Sequence, residues 1–315
     1  MMQQMLVGLG GGATAEAMGN VHYTMCAGGG ARGAHAPNGP IGYGGGGAGG
    51  YISSFAGALS GGGNVYSGGS TSLVSPLTLL TLTSYTVTIG ASATASSTNG
   101  SNTSIAGQDT SSAFTITAIG GGGGASGAST SSSDLNGKDG GSGGGGGSFE
   151  NGTQHTGTRG SGTTNQGTDG NIGQPRNVFP WYCGESWATA FAQCLGYPGN
   201  SRGGGGGGAS TIGSSNSFSN NGVQGLGSSI TGSTVIRSGG GNGKDGGTNQ
   251  GWDNEGGGGS NSYPLGKNGI LILRYSNAYT ISNPGGGLTI TTTTVSSDKV
   301  SQITAGTGVI EFTAN

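Results

Sequence analysis

Unbroken glycine tracts, at Gly120–Gly124, Gly143–Gly147, Gly203–Gly208 and Gly256–Gly259, constrain this chain more than any other feature of its sequence. Glycine opposes helix by about 1 kcal/mol per residue relative to alanine and gives a strand no side chain to pack. Extended backbone is what remains. Chains without Cβ atoms can lie main chain against main chain, as at the crowded axis of collagen, in polyproline II conformation. Lateral N–H···O=C bonds and Cα–H···O contacts then replace side-chain burial. A strict Gly-X-Y period is missing, which excludes collagen itself. Two readings are left: polyproline II runs bundled together and joined by Asn/Asp/Ser turns, or flexible linker. Aromatic residues and strand-like segments recur along the whole chain rather than stopping at one end, which favours the bundle.

Composition sharpens that choice. Of 315 residues 79 are glycine, and Leu, Ile, Val and Phe together number only 49, below what a conventional single core requires. The net charge is only −2, so self-repulsion does not keep the chain expanded. Ordering each backbone residue costs about 1–2 kcal/mol. A fold of this chain must therefore recover that cost through dense backbone contact or through partner chains, and a homo-oligomer, with a trimer as the specific guess, is the expectation. Lys and Arg form no cluster, which argues against nucleic acid or an anionic membrane as partner. The apolar run Pro76–Leu82 is too short to span a bilayer, and Met1–Gly12 has no basic n-region, so no export signal and no membrane insertion are expected.

The expected fold class is mainly β with a glycine-rich polyproline II bundle, and little or no helix apart from a short one near 185–195. Strand signals with period-two alternation or β-branched composition occur at Val21–Cys26, Tyr85–Ile89, Phe114–Ile119, Leu288–Val295 and Val309–Phe312. The run Ile270–Tyr275 is apolar almost throughout and predicts a strand buried on both faces at the centre of a sheet. Between the first strands, Ala91–Gly107 reads as a surface loop of turn residues. Single aromatic or apolar residues (Ile41, Tyr43, Tyr51, Phe55, Tyr66) punctuate the glycines and fix their register. Asn136–Gly141 is echoed at Asn242–Gly247, which predicts equivalent turns. The organisation is an N-terminal attachment segment over 1–20, a glycine-rich β/polyproline II domain over 21–279 with an aromatic insert at 171–202, and a C-terminal β element over 280–315.

The ordered series Tyr23–Gly30, Gly44–Phe55, Ser84–Ala91, Phe114–Gly124 and Gly266–Tyr275 resembles the glycine-rich domain of bacteriophage tail-fibre and adhesin proteins, over roughly Val21–Tyr279. The lead Gln3–Gly10 is also similar to the N-termini of structural proteins of marine tailed phages. The resemblance implies strands framing polyproline II glycine bundles, no catalysis, and a role in the virion, often at the receptor-contacting tip of a tail fibre. A virion protein made in the host cytoplasm needs no export signal. The implied partners are other virion proteins and a host surface glycan or protein. A capsid-decorating or head-fibre protein is the alternative within virions; a secreted ice-binding or matrix protein is the alternative outside them.

The insert departs from the family pattern. Phe179, Trp181, Tyr182, Trp187 and Tyr197 lie close together there and are the candidate receptor or partner contacts, because exposed Trp and Tyr stack on sugar rings and anchor interfaces. A satellite core is the plainer use of the same cluster. Met5, Leu6, Val7 and Leu9 are the candidate virion-attachment residues. Cys26, Cys183 and Cys194 are too few for a disulfide framework; for Cys183 and Cys194 two small buried thiols are the simple reading, with a disulfide between them as the alternative. Cys183–Trp187 bears a faint resemblance to the nucleophile segment of papain-like proteases, but Ser186 would stand in the nucleophile's place. His22, His35 and His155 are dispersed, so catalytic residues, metal and cofactors are all expected to be none. Asp139, Asp169 and Asp245 lack the spaced acidic ladder of a calcium loop and read as turn residues.

Overall fold

The computed structural model describes residues 14–34, 41–55, 74–127, 132–150, 154–174, 202–210, 220–244 and 254–315. These residues form fifteen strands, one 3₁₀ turn at Ser132–Leu135 and a series of extended glycine runs assigned to no strand. In chain order the strands are β1 (Ala17–Cys26), β2 (Ile41–Gly42), β3 (Tyr51–Ser53), β4 (Leu77–Leu80), β5 (Tyr85–Thr88), β6 (Thr103–Gln108) and β7 (Ala113–Ala118). They continue with β8 (Ser148–Glu150), β9 (Gln154–Thr156), β10 (Leu226–Ser228), β11 (Val235–Arg237), β12 (Ile270–Ser276), β13 (Tyr279–Ser282), β14 (Leu288–Val295) and β15 (Asp298–Ala314). The protein is mainly β, as its sequence predicts, and the expected short helix near 185–195 lies outside the described residues.

Ten strands make one nearly closed, barrel-like antiparallel sheet with the path β3-β1-β12-β15-β5-β6-β7. β12 occupies its centre, with His22–Cys26 of β1 on one edge and Asp298–Ile303 of β15 on the other. Alternation then buries both faces of β12. Leu271, Leu273 and Tyr275 enter the main core with Tyr23, Met25, Ile303, Tyr85 and Phe312. Ile270 and Ile272 enter a second cluster with Cys26, Tyr51, Ile230 and Val300. The first core is tightened by Tyr275 and Phe312, whose rings meet edge to face at 5.1 Å.

β15 is long enough to serve two neighbours on one edge. Its start pairs with β12, whereas Thr307–Ile310 pair with β5. Between them Gly306 takes φ +96, a bend a Cβ would obstruct because Gly287 O lies 1.8 Å from where it would sit. The predicted strands at Leu288–Val295 and Val309–Phe312 are thus β14 and part of β15, and the 280–315 segment is woven into the same sheet as β1. One expectation is corrected. Ala91–Gly107 is not simply a surface loop: it contains most of β6, held between β5 and β7, and its residues Thr98 and Ser101 accept N–H bonds from Ala31 and Gly28.

The glycine runs leave the sheet directly, since Cys26 of β1 passes into 27–34, Ala118 of β7 into 119–126, and run 43–50 enters β3. Run 43–50 lies at the middle of an array. Its N–H groups donate outward in rotation: Gly44, Gly47 and Gly50 to Ala125, Gly122 and Ile119; Gly45 and Ala48 to Gly204 and Gly207; Gly46 and Gly49 to Gly259 and Gly256. Its carbonyls accept in the same rotation, from Ala27, Gly30 and Gly33, from Ser142 and Gly145, and from Gly241 and Lys244. Every third residue faces the same neighbour, so one run touches six others. Ala48 apart, side chains have no room in the middle of this run. A Cβ at Gly44, Gly45, Gly46 or Gly47 would come within 1.9–2.2 Å of a carbonyl oxygen of an adjoining run.

Candidate contact end of the glycine array

The runs lie side by side, five of the six neighbours of run 43–50 against it and 204–207 with it, so their turns collect at two ends. One end abuts the β sheet. At the other, runs stop at residues that carry side chains: Arg32, Tyr43, Ser148, Gln174, Arg202 and Lys244. The contacts among them fix the end's identity. Lys244 N–H donates to Tyr43 O, Gly127 N–H to Ala34 O, and Ser148 Oγ donates to Arg202 O at 2.9 Å. β2, β8 and β9 form a three-stranded sheet here, with Ile41 opposite Phe149 and Phe149 opposite His155.

Gln174 and Arg202 close this end by reciprocal backbone hydrogen bonds of 2.8 and 2.9 Å. They are the residues on either side of 175–201, so the aromatic insert both leaves and rejoins the chain at the far end of the array. Phe179, Trp181, Tyr182, Trp187 and Tyr197 lie outside the described residues, as do Cys183, Cys194, Met5, Leu6, Val7 and Leu9.

Aromatic and cationic groups also pair on the array. The Arg32 guanidinium stands 4.7 Å over the Tyr43 ring, and the Tyr43 hydroxyl donates to Asn261 Oδ1. Asn261 begins a turn bearing Tyr263 and Leu265, which with Leu82 are the large apolar side chains exposed among the described residues. Lys267 Nζ lies 3.5 Å above the Tyr263 ring. Sequence reasoning marked Tyr43 as a packing point but missed Arg32, Tyr263 and Lys267. The available signal was an aromatic next to Pro264 inside a turn, too common a pattern to single out.

The ionisable groups whose pKa values burial raises sit elsewhere, in the cores of the β sheet. Burial pushes the Tyr23 hydroxyl up to about 12 and the Cys26 thiol up to about 11, and it raises Tyr51, Tyr85 and Tyr275 as well. A thiol so raised is protonated near neutrality and is a poor nucleophile. Cys26 is buried. Among the described residues no group of three His, Cys, Asp or Glu side chains is placed to hold a metal ion. Asp139 and Asp169 do not lie in turns, against expectation; each accepts a backbone N–H from another segment through Oδ1, from Ser161 at 2.6 Å and Gly162 at 3.0 Å, as the asparagines of the array do. Asp245 lies outside the described residues. A shallow concavity of about 330 Å³, lined by Ile119, Asp139, Ser161 and Thr163, opens beside the first of these bonds.

No family model, no curated protein and no solved structure matches this chain.

Proposed function

We propose that this protein is a noncatalytic structural component of a bacteriophage virion, a tail-fibre or adhesin-type protein. In this reading the glycine runs are polyproline II helices packed as a rigid stalk, and the chain works as an oligomer, with a homotrimer as the specific expectation. The carrying observation is the three-residue rotation of hydrogen bonds around run 43–50. A helix with three residues per turn presents its N–H groups in that rotation, whereas a strand alternates between two sides. A crystal structure with φ near −75° and ψ near +145° through 43–50 supports the assignment; strand-like angles there overturn it.

The functional half of the proposal draws on the position of the insert. A stiff array that brings both ends of an aromatic segment to its far end suits presentation of that segment to a host surface. The ordered resemblance to phage tail-fibre and adhesin glycine-rich domains points the same way. Host adsorption by virions carrying Trp181→Ala and Trp187→Ala tests it: reduced adsorption with normal assembly supports a contact role. Unchanged adsorption refutes it. Averaged density that places the chain on the head shell would select the capsid-decorating alternative, and light scattering that finds a folded monomer would remove the trimer.

A further inference from the structure

The sequence holds seven Asn–Gly steps, and five of them, at Asn99, Asn136, Asn221, Asn242 and Asn268, fall among the described residues. Asn–Gly is the dipeptide most open to self-cyclisation. The glycine amide nitrogen, unhindered by any Cβ, attacks the asparagine side-chain carbonyl carbon, the amide nitrogen leaves as ammonia and a succinimide forms. Water then opens the ring at either carbonyl, giving aspartate or isoaspartate. The reaction needs a free glycine N–H and an asparagine side chain able to swing over it.

The fold occupies both groups. Each of the five glycine N–H groups is donated to an oxygen on another part of the chain: Gly100 to Gly121 O, Gly137 to Thr158 O, Gly243 to Asn220 O and Gly269 to Gly90 O, all at 2.8–2.9 Å, and Gly222 to Asn242 Oδ1 at 2.7 Å. Four of the asparagine side chains are pinned as well. Their Oδ1 atoms accept backbone N–H bonds from neighbouring segments, Asn99 from Gly123, Asn136 from Thr158, Asn242 from Gly222 and Asn268 from Ser92. These asparagines act as spare carbonyls where the backbone supply runs short, and that duty holds them away from the attacking nitrogen.

We propose that the five Asn–Gly steps are latent deamidation sites, held unreactive by the glycine array and released when it opens. The consequence is directional. Aspartate would keep the Oδ1 acceptor, but isoaspartate inserts a methylene into the main chain and displaces the three-residue register of every hydrogen bond beyond it. Opening would then become irreversible with time.

The test is peptide mapping by mass spectrometry, with isoaspartate-specific enzymatic methylation, of the full chain held in mildly alkaline buffer with and without concentrated urea. Conversion at the five sites is expected to be about tenfold or more slower in the folded protein, because reaction must await local opening. After urea is removed, isoaspartate-bearing chains should remain in the unfolded fraction. Equal rates at these sites in the two conditions, or refolding of isoaspartate-bearing chains as complete as that of unmodified ones, would overturn the proposal.

Discussion

The β sheet and the glycine array are joined by continuous backbone yet are stabilised in opposite ways. In the sheet, side chains fill the interior, and Leu271, Leu273 and Ile303 are fully buried. Apolar burial at roughly 25 cal/mol per Å² supplies its stability. In the array the interior is main chain, and the contacts of run 43–50 are hydrogen bonds to six neighbours. Such bonds give about a kilocalorie each net but are expensive to leave unmade. The sheet is therefore harmed by removing atoms, and the array by adding them.

The sharpest way to break this contrast is to add one methyl group. Gly46→Ala places a Cβ 2.1 Å from Gly30 O and 2.7 Å from Gly259 N, with rigid backbone on every side and no flexible side chain to yield. The expected loss exceeds about 4 kcal/mol, enough to abolish folding at ordinary temperatures. Gly285→Ala is the paired control. It adds the same atom where nothing lies within 4 Å, at φ +82 in the turn between β13 and β14, and should cost about 1 kcal/mol from the left-handed backbone alone. Comparable thermal unfolding temperatures for the two variants would end the distinction.

The converse substitution belongs in the sheet. Leu273→Ala empties a fully buried position in the main core and should cost about 3 kcal/mol in denaturant unfolding, whereas Leu273→Met, of similar volume, should cost less than about 1.5 kcal/mol. An array position has no such tolerated alternative, because its contacts are made by the atoms common to all residues.

High pH should separate the regions as well, since the strongly displaced groups lie in the sheet. Cys26 and Tyr23 hold their protons more tightly when folded, with values raised by burial from 9.0 to about 11 and from 10.0 to about 12. Their contribution is whole below pH 9. It declines as pH climbs, first through the thiol's window of 9 to 11 and then through the hydroxyl's window of 10 to 12. Denaturation midpoints measured against pH should show this decline. In Cys26→Ala its onset should move up to the tyrosine's window; an unchanged onset would exclude the thiol as its source.

The two regions were also unequally legible. Ile270–Tyr275 declares a doubly buried strand because its apolar residues leave no polar face, and Tyr85–Ile89 and Phe114–Ile119 declare theirs through β-branched alternation. β6 is hidden: its sequence TSIAGQ carries glycine and serine, and β5 and β7 supply the pairing that makes it a strand. The pairs β8–β9 and β10–β11 match only three residues on each side, a length set by tertiary contact rather than local preference. In the array the sequence announces glycine but not neighbours, because Gly46 and Gly47 are identical as letters and differ only in whom they face. Asparagine leaves the one readable trace, as at Asn102, whose Oδ1 accepts the Gly120 N–H at 2.8 Å. At the far end, Tyr43 was legible as a lone aromatic among glycines. The closure by Gln174 and Arg202 was not, since two backbone groups form it.

The smallest expected effect tests whether a sheet turn can follow the array's habit of satisfying N–H groups with side-chain oxygen. Asp109, between β6 and β7, accepts through Oδ1 from the N–H groups of Ser111 and Ser112 at 2.7 and 2.8 Å and from the Ser111 hydroxyl at 2.8 Å. Those bonds favour the charged carboxylate and lower its pKa from the ordinary value of 3.8. Their contribution is present above that pH and is lost as pH falls through the folded value. Asp109→Asn retains an Oδ1 acceptor and removes the titration. Its stability at neutral pH should match the parent within the scatter of a surface substitution, while the acid limb of its stability curve becomes shallower. A parallel acid limb in the two proteins would show that the turn draws nothing from the charge, and that sheet and array satisfy their turn N–H groups by the same neutral oxygen geometry.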